Sequence, residues 1–558
     1  MFSDIYRKKE YSNYRRCTQN RMTAARDIGG NSFFVQNPFV YVQKVVTQAA
    51  CFLFFVTFVR KSFYHLILTG MRTIYPFMGL ALCGAATQAQ EKPNILIIQC
   101  DHLTQRVVGA YGQTQGCTLP IDQVASRGVI FSNAYVGCPL SQPSRAGLWS
   151  GLMPHQTNVR SNSAEPVNTP LPDSVPTLGS LFSDYGYEAV HFGKTHDMGA
   201  LRGFKHKEPV PKPFTDLDFP VNNDSFLDVG TCEDAVAYLS NPPQKPFICI
   251  ADFQNPHNIC GFVGENQGVH TDHPISGELP ELPANFEVED WSQIPIPIQY
   301  ICCGHRRMTQ ASQWSEENYR HYIAAFRHYT KMVSRQVDSV LKALYSTPAG
   351  KNTIIVILAD HGDGMASHRM VTKHLSFYDE MTNVPFIFAG PGIKQRKKPV
   401  SELLTQPTID LLPTLCELAN IPVPSDKAGI SLAPTLRGEK QKKTHAYVAS
   451  EWHTEYEYII TPGRMIRSPR YKYTHFLEGN GEELYDMKKD PGEQINLAKN
   501  PKYAAILAEH RALLDDYITR TGDDYRSLKV NADARCREHT PGYPYHRGPS
   551  VRELIKKR

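Results

Sequence analysis

The sequence predicts an α/β fold with a large mixed, mostly parallel sheet flanked by helices, and a smaller C-terminal domain. Three observations predict this fold. Short apolar, β-branched runs alternate with segments of helical periodicity. These runs lead into polar or charged residues, as expected where parallel strands present functional groups at one edge of a sheet. After about residue 440 the runs become short and alternating, which is typical of an antiparallel sheet.

Four strands of the parallel sheet are predicted from the apolar runs. They cover residues 94–101, 188–192, 246–253 and 352–360. The first run ends in Asp101 and the last in Asp360. Residues 319–344 carry an apolar residue at roughly every third or fourth position, which predicts an amphipathic helix packed on the sheet.

The C-terminal part of the chain is predicted to form an antiparallel sheet closed by a helix. Alternating runs lie at residues 446–451, 464–468, 471–476 and 483–486. Residues 500–519 follow with helical periodicity. We therefore place the main domain at 91–440, the antiparallel subdomain at 441–520 and a basic tail at 521–558.

Composition excludes several classes of protein. Hydrophobic residues make up 41% and charged residues 21% of the chain, which is globular usage rather than disordered or fibrous. Thirteen cysteines in 558 residues are too dilute for a disulfide scaffold. The net charge of +5 comes from residues 1–70, where 10 Lys and Arg face 3 Asp and Glu. From residue 91 onward acidic residues outnumber basic ones, so we expect no nucleic-acid partner.

The first 90 residues have the character of a leader. Residues 71–90 place one basic residue before an apolar run and small residues, which is the layout of a secretory signal peptide. Residues 45–59 form a second apolar run that is short for a membrane span. We favour Met71 as the true start, with 1–70 as translated upstream sequence. The alternative is a membrane anchor.

The segment from Ser141 to Gly151 carries the strongest local motif. It has Ser141, then Pro143 and Arg145, and ends in Ser150-Gly151. Taken alone, this pattern predicts only a helix that Ser141 caps, with Pro143 in the first turn. It also resembles the signature of the type I sulfatases, in which the first residue is converted to Cα-formylglycine. Ser141 is the residue in register, so the chain resembles the Ser-type branch of that family.

Further motifs in the same order strengthen the resemblance, which spans about residues 92–515. The pair Asp101-His102 resembles the metal-binding pair of that family, and Asp360-His361-Gly362 resembles its Asp-His-Gly segment. Gly193-Lys194-Thr195-His196 and Pro256-His257 resemble two further elements. The resemblance implies the alkaline phosphatase-like fold and hydrolysis of a sulfate monoester.

The resemblance also implies roles for individual residues. The catalytic set is Ser141, Arg145, Lys194, His196, His257 and Lys373. The metal set is Asp101, His102, Ser141, Asp360 and His361, and the expected ion is Ca²⁺ or another divalent cation. His368 and His374 are expected to bind substrate. Within the catalytic set, the hydrated aldehyde made from Ser141 is the nucleophile, His257 with Lys373 is the acid for the leaving alcohol, and His196 is the base that restores the aldehyde.

His102 departs from the family pattern, in which the residue after the first metal-binding Asp is usually Asp, Asn or Gln. Imidazole is a softer ligand than a carboxylate and suits transition metals. Either His102 binds the metal and shifts its preference, or the side chain turns away. We favour His102 near the metal.

Partners and location follow from the same expectations. A sulfated carbohydrate is the expected substrate, an anaerobic sulfatase-maturating enzyme the expected maturation partner, and the bacterial periplasm the expected location. We expect no stable membrane partner. Two alternatives stay open from the sequence: a phosphate or phosphonate monoester hydrolase of the same superfamily, and an unmatured glycan-binding protein.

Overall fold

A mixed seven-stranded sheet forms the centre of the main domain. The computed structural model describes residues 92–113, 116–162, 168–212, 227–266, 278–288, 293–299, 306–311, 314–374, 376–453, 462–477 and 481–528. The strands are β1 (Asn94–Cys100), β2 (Val129–Ile130), β3 (Glu188–Gly193), β4 (Lys205–Lys207), β5 (Phe247–Phe253), β6 (Thr353–Leu358) and β7 (Phe386–Ala389). Their order across the sheet is β2-β7-β6-β1-β5-β3-β4. The five strands from β6 to β4 are parallel, and β7 runs antiparallel to β6. The predicted mostly parallel sheet is therefore confirmed.

The central strand shows why these runs form a buried sheet. β1 alternates between two apolar clusters: Leu96 and Ile98 pack on one face of the sheet, and Ile95 and Ile97 pack on the other. All four side chains are fully buried. A strand covered on both faces needs a continuous apolar run rather than an alternating one, which is the pattern that the sequence shows.

Helices cover the sheet and connect its strands. Their bounds are α1 (Leu119–Ala125), α2 (Ser141–Ser150), α3 (Pro154–Thr157), α4 (Leu178–Asp184), α5 (Leu227–Ser240), α6 (Ile259–Asn266), α7 (Arg306–Ala311), α8 (Glu316–Tyr345), α9 (Asp379–Thr382), α10 (Pro407–Leu418), α11 (Ala433–Leu436) and α12 (Ala504–Thr521). α8 is the long amphipathic helix predicted from 319–344. Its N-terminus is fixed by a capping box, in which the Ser315 hydroxyl accepts a hydrogen bond from the backbone N–H of Asn318.

The C-terminal part forms a separate four-stranded antiparallel sheet, as predicted. Its strands are β8 (Val448–Trp452), β9 (Gly463–Arg467), β10 (Tyr471–Phe476) and β11 (Glu482–Asp486), in the order β11-β10-β9-β8. Helix α12 closes this sheet and buries Leu507, Leu514 and Tyr517. The predicted subdomain boundaries remain predictions, because the described residues of both sheets belong to one compact unit.

The predicted leader, residues 1–70 and 71–90, lies outside the described residues, as does most of the predicted tail, from residue 529 onward. In the described part of the chain, no helix is both long enough and apolar enough to cross a membrane.

Candidate active site

The carboxyl ends of four parallel strands bring together charged groups that are far apart in the sequence. Asp101 follows β1, Asp252 lies near the end of β5, Lys194 follows β3, and Asp360 follows β6. The backbone N–H of Lys194 donates to the carbonyl oxygen of Asp252 at 3.0 Å. This approach needs a glycine before it, because a Cβ on Gly193, at φ +110°, would lie 2.0 Å from that same oxygen.

Ser141 is the first residue of helix α2, and its hydroxyl faces this cluster. Leu140 is the N-cap residue, so Ser141 does not cap the helix. Its Oγ lies 2.9 Å from His361 Nε2, 3.4 Å from Lys373 Nζ and 3.4 Å from Asp101 Oδ2. The side chain is fully buried. The helix terminus adds positive potential at this point, so the site favours an anion bound beside Ser141.

Arg145 lies one helical turn after Ser141 and joins three strand ends. Its Nε donates to Asp360 Oδ2 at 2.8 Å, Nη1 to Asp252 Oδ2 at 2.6 Å, and Nη2 to Asp101 Oδ2 at 3.2 Å. Burial alone would lower the pKa of Arg145, but the three carboxylates outweigh burial and raise it. Arg145 is therefore a permanent cation that holds the carboxylates in place.

The structure supplies a donor set that fits a divalent cation. Asp101, Asp360 and His361 are buried, and one ligand atom from each lies within 4.8 Å of the others. Burial would raise the pKa of Asp101, but the cations around it, led by Lys194, hold it well below its usual range. Asp101 is thus ionised, as a ligand for a hard cation such as Ca²⁺ must be.

The tautomer of His361 follows from its contacts. His361 Nδ1 lies 2.9 Å from the carbonyl oxygen of Gly362, which can only accept, so Nδ1 carries the proton. The lone pair on Nε2 therefore points toward Ser141 Oγ and the carboxylates. Burial lowers the pKa of His361, which keeps this lone pair available as a ligand.

Two further predicted residues, His196 and His257, lie within the field of the same cluster. Burial, followed by the charges of Lys194 and Arg145, lowers the pKa of His196 well below its usual range. Burial, followed by Lys373 and Lys194, does the same for His257. Both imidazoles are therefore neutral before substrate arrives. His196 has φ +50° and a buried Nδ1 that has no hydrogen-bond partner in the part of the chain that the structure describes.

Lys373 reaches Ser141 from a tightly wound loop that α8 holds in place. Five non-glycine residues of this loop have positive φ: Met365, Ala366, His368, Arg369 and Thr372. The hydroxyl of Tyr322, on α8, donates to Asp363 Oδ1 and accepts from the backbone N–H of Thr372 at 2.7 Å. Lys373 follows directly and is 5% exposed. Strain of this kind, held by packing, is common at functional sites.

The two predicted substrate-binding histidines, His368 and His374, are both buried. The ring of His368 stacks on Tyr378 at a centroid distance of 4.0 Å, and its backbone N–H donates to the carbonyl oxygen of Asn285 at 2.7 Å. The first contact ties His368 to the segment after Lys373, and the second ties it to the segment 278–288. No described contact joins either histidine to Ser141, so their binding role remains a prediction.

His102 lies beside the carboxylates, and its favoured place near the metal remains a prediction. Its backbone N–H donates to Asp360 Oδ1 at 3.3 Å, and its Nδ1 lies 3.9 Å from Asp101 Oδ1. The ring stacks on His257 at a centroid distance of 5.0 Å. No described hydrogen bond involves either ring nitrogen.

Sequence reasoning did not assign a role to Asp252 or Tyr322. Asp252 carried a usable signal, because it ends an apolar run as Asp101 and Asp360 do. Tyr322 carried none, since it lies on the apolar face of a helix and resembles a core residue.

Comparisons with known proteins identify relatives of this chain. A family model described as Sulfatase matches residues 93–421, and one described as N-sulphoglucosamine sulphohydrolase, C-terminal, matches 366–520. A Delta 4,5-hexuronate-2-O-sulfatase from Bacteroides thetaiotaomicron is 85% identical over 481 residues, covering 86% of this chain and all of that protein.

Solved structures show the same similarity. A structure described as a 2-O GAG sulfatase superposes with a TM-score of 0.80 at 85% identity, covering 83% of this chain and all of the other. A structure in complex with its substrate, D-glucosamine-2-N,6-O-disulfate, has a TM-score of 0.62 at 21% identity and covers 79% of this chain and all of its own. At that identity, the second likeness shows the fold alone.

Proposed function

The chain belongs to the sulfatase family and is a sulfuric ester hydrolase, and on this premise we propose that it removes the 2-O-sulfate group from a 4,5-unsaturated hexuronate of a sulfated glycan. The 85% identity to a relative named for that substrate supports the assignment. The same identity favours sulfate hydrolysis over the phosphoester and glycan-binding alternatives.

The observation that carries the proposed chemistry is the position of Ser141. Its Oγ lies at a helix N-terminus between His361 Nε2 and Lys373 Nζ, in a buried cluster of charges. We propose that Ser141 is matured to formylglycine by an anaerobic maturase. The modified residue would supply a hydrated aldehyde as the nucleophile.

The cations around Ser141 suit an anionic ester. A sulfate monoester repels anionic nucleophiles, so its oxygens must be held by fixed positive groups. Lys194 donates to Asp101 and is 15% exposed, whereas Lys373 points at Ser141. Both ammonium groups can turn to the sulfate oxygens while Arg145 keeps the carboxylates ordered. Water is largely excluded, which strengthens each of these contacts.

The neutral side chains of His257 and His196 are proposed to carry out the proton transfers. The arriving anion offsets the charges of Lys373 and Lys194, and we propose that the ring N–H of His257 then donates to the leaving oxygen. His196 remains neutral with an available lone pair, as a base requires. These are the roles proposed for the two residues.

Asp101, Asp360 and His361 are proposed to hold a divalent cation, with the modified Ser141 completing the set. When bound, the cation would supply positive charge at the nucleophile. Ca²⁺ is the proposed ion, because two of the three donors are carboxylates.

We further propose that the protein is exported to the periplasm. The signal-like segment at residues 71–90 supports this location.

The proposal can be tested on protein produced together with an anaerobic sulfatase maturase. Peptide mass spectrometry across Ser141 should show the loss of two hydrogens, and a 2-O-sulfated, 4,5-unsaturated hexuronate disaccharide should release sulfate. The 6-O-sulfated isomer of this disaccharide should release no sulfate.

Ser141→Ala should abolish turnover with little change in thermal stability. Ser150→Ala is the matched control, because the described hydrogen bonds of its hydroxyl go to the carbonyl oxygens of Ala146 and Gly147 in the same helix. Full activity in Ser141→Ala would exclude formylglycine. Sulfate release from the 6-O-sulfated isomer, with none from the 2-O-sulfated disaccharide, would exclude the proposed substrate.

A further inference from the structure

Beside the carboxylate set lies a second group of metal-ligating side chains of different chemistry. His102, His257 and Cys260 each offer one ligand atom, and the three atoms lie within 4.8 Å of one another. His102 follows β1. His257 lies two residues before α6 and Cys260 is the second residue of that helix; the backbone N–H of Cys260 donates to the carbonyl oxygen of His257 at 2.9 Å. The tertiary structure thus joins a local His-x-x-Cys pair to a distant histidine.

His102 shows that this group is not ordinary core packing. The residue is fully buried, yet neither Nδ1 nor Nε2 has a hydrogen-bond partner among the described residues. A buried polar atom without a partner is costly, and each instance in a folded protein requires an explanation. The backbone of His102 also has φ +73°, a strained conformation for a residue with a Cβ. A bound cation would satisfy one of the two nitrogens.

The donor types indicate which cation fits. Two imidazole nitrogens and a thiolate suit Zn²⁺, whereas Ca²⁺ takes oxygen donors. Three protein ligands leave the fourth tetrahedral position open, as in catalytic rather than structural zinc sites. Cys260 is buried and its thiol is free of any disulfide, so it is available as the third ligand.

We propose that His102, His257 and Cys260 form a Zn²⁺ site that is separate from the Asp101, Asp360 and His361 set. Binding exchanges the Cys260 S–H proton for the metal, and the proton passes to solvent. The cation also fixes the ring of His257 through one nitrogen and leaves the N–H of the other nitrogen as the donor to the leaving oxygen. His102 is therefore a ligand of Zn²⁺ and not of the cation that the carboxylate set holds.

The test uses the full chain and measures metal binding, so it does not depend on the proposed activity. Chelator-treated protein is loaded with Co²⁺ or Zn²⁺ in excess Ca²⁺, which competes for the carboxylate set. Wild-type protein should bind one equivalent of Zn²⁺, and its Co²⁺ form should show a thiolate-to-metal charge-transfer band in the near ultraviolet.

Two variants and a control complete the design. Cys260→Ser should abolish the charge-transfer band. His102→Asn, which retains a residue type that tolerates positive φ, should weaken Zn²⁺ binding by about tenfold or more. Cys416→Ala removes a buried thiol elsewhere and should change neither result. A wild-type Co²⁺ spectrum without the band, or a band that persists in Cys260→Ser, would overturn the proposal.

Discussion

Arg145 is expected to be the main electrostatic support of the active site, and Arg145→Gln tests this. The guanidinium makes hydrogen bonds of 2.6–3.2 Å with three buried carboxylates. The substitution leaves Asp101 with Lys194 as its cation, while Asp252 and Asp360 lose theirs. Removing one partner of a buried ion pair costs about 3–5 kcal/mol, because the other partner's charge remains buried without an opposite charge beside it.

We therefore expect the free energy of unfolding to fall by about 3–5 kcal/mol, measured by urea titration in the presence of a chelator. Adding Ca²⁺ should recover part of this loss, since a cation between Asp101 and Asp360 replaces some of the missing positive charge.

Arg437→Gln is the matched control. Arg437 pairs with Glu417 on the surface, where both side chains are more than one-third exposed, so its loss should cost less than about 1 kcal/mol. If Arg145→Gln unfolded at the same urea concentration as this control, the argument that Arg145 stabilises the strand ends would be refuted.

Three further predictions concern single residues. Lys373→Ala should lower kcat by about 10²–10³-fold, because it removes a cation beside the nucleophile; an unchanged kcat would take Lys373 out of the site. Tyr322→Phe should lower kcat by about tenfold through loss of the hydrogen bonds that order the Lys373 loop, with KM and the unfolding temperature as the readouts that separate positioning from general destabilisation. Burial opposes ionisation of Glu451, but His155 and Arg464 outweigh it and lower its pKa from 4.5 to about 2. The stabilisation from ionised Glu451 is therefore complete above pH 4.5 and lost as the pH falls toward 2. Thermal unfolding against pH should show this acid loss in wild type and a flatter profile in Glu451→Gln.

Much of the fold could be predicted because its signals are local. The apolar run of β1 and the periodicity of α8 each lie within one stretch of sequence, and the structure places both elements within a few residues of the prediction. The short strand β7 was not predicted, because an apolar run of four residues is too short for its periodicity to distinguish a strand from another buried segment.

The candidate site was predicted only as a set of residues, not as a geometry. The motifs indicated Ser141, Lys373 and the paired Asp-His segments. They did not indicate which side chains touch, because Asp101 and Asp360 meet only when β1 pairs with β6. The loop before Lys373 shows the same limit, since its positive φ angles are held by a hydrogen bond from Thr372 to Tyr322 on a distant helix.

Local apolar patterns and short motifs were sufficient to assign the fold class, the sulfatase family and the residue types of the site. The contacts of Arg145 with three strand ends, and the position of His102 beside His257 and Cys260, arise only in the folded chain. Strand pairing and helix packing join residues that lie tens to hundreds of positions apart in the sequence. The charge, burial and strain of each side chain then depend on neighbours that its own stretch of sequence does not contain.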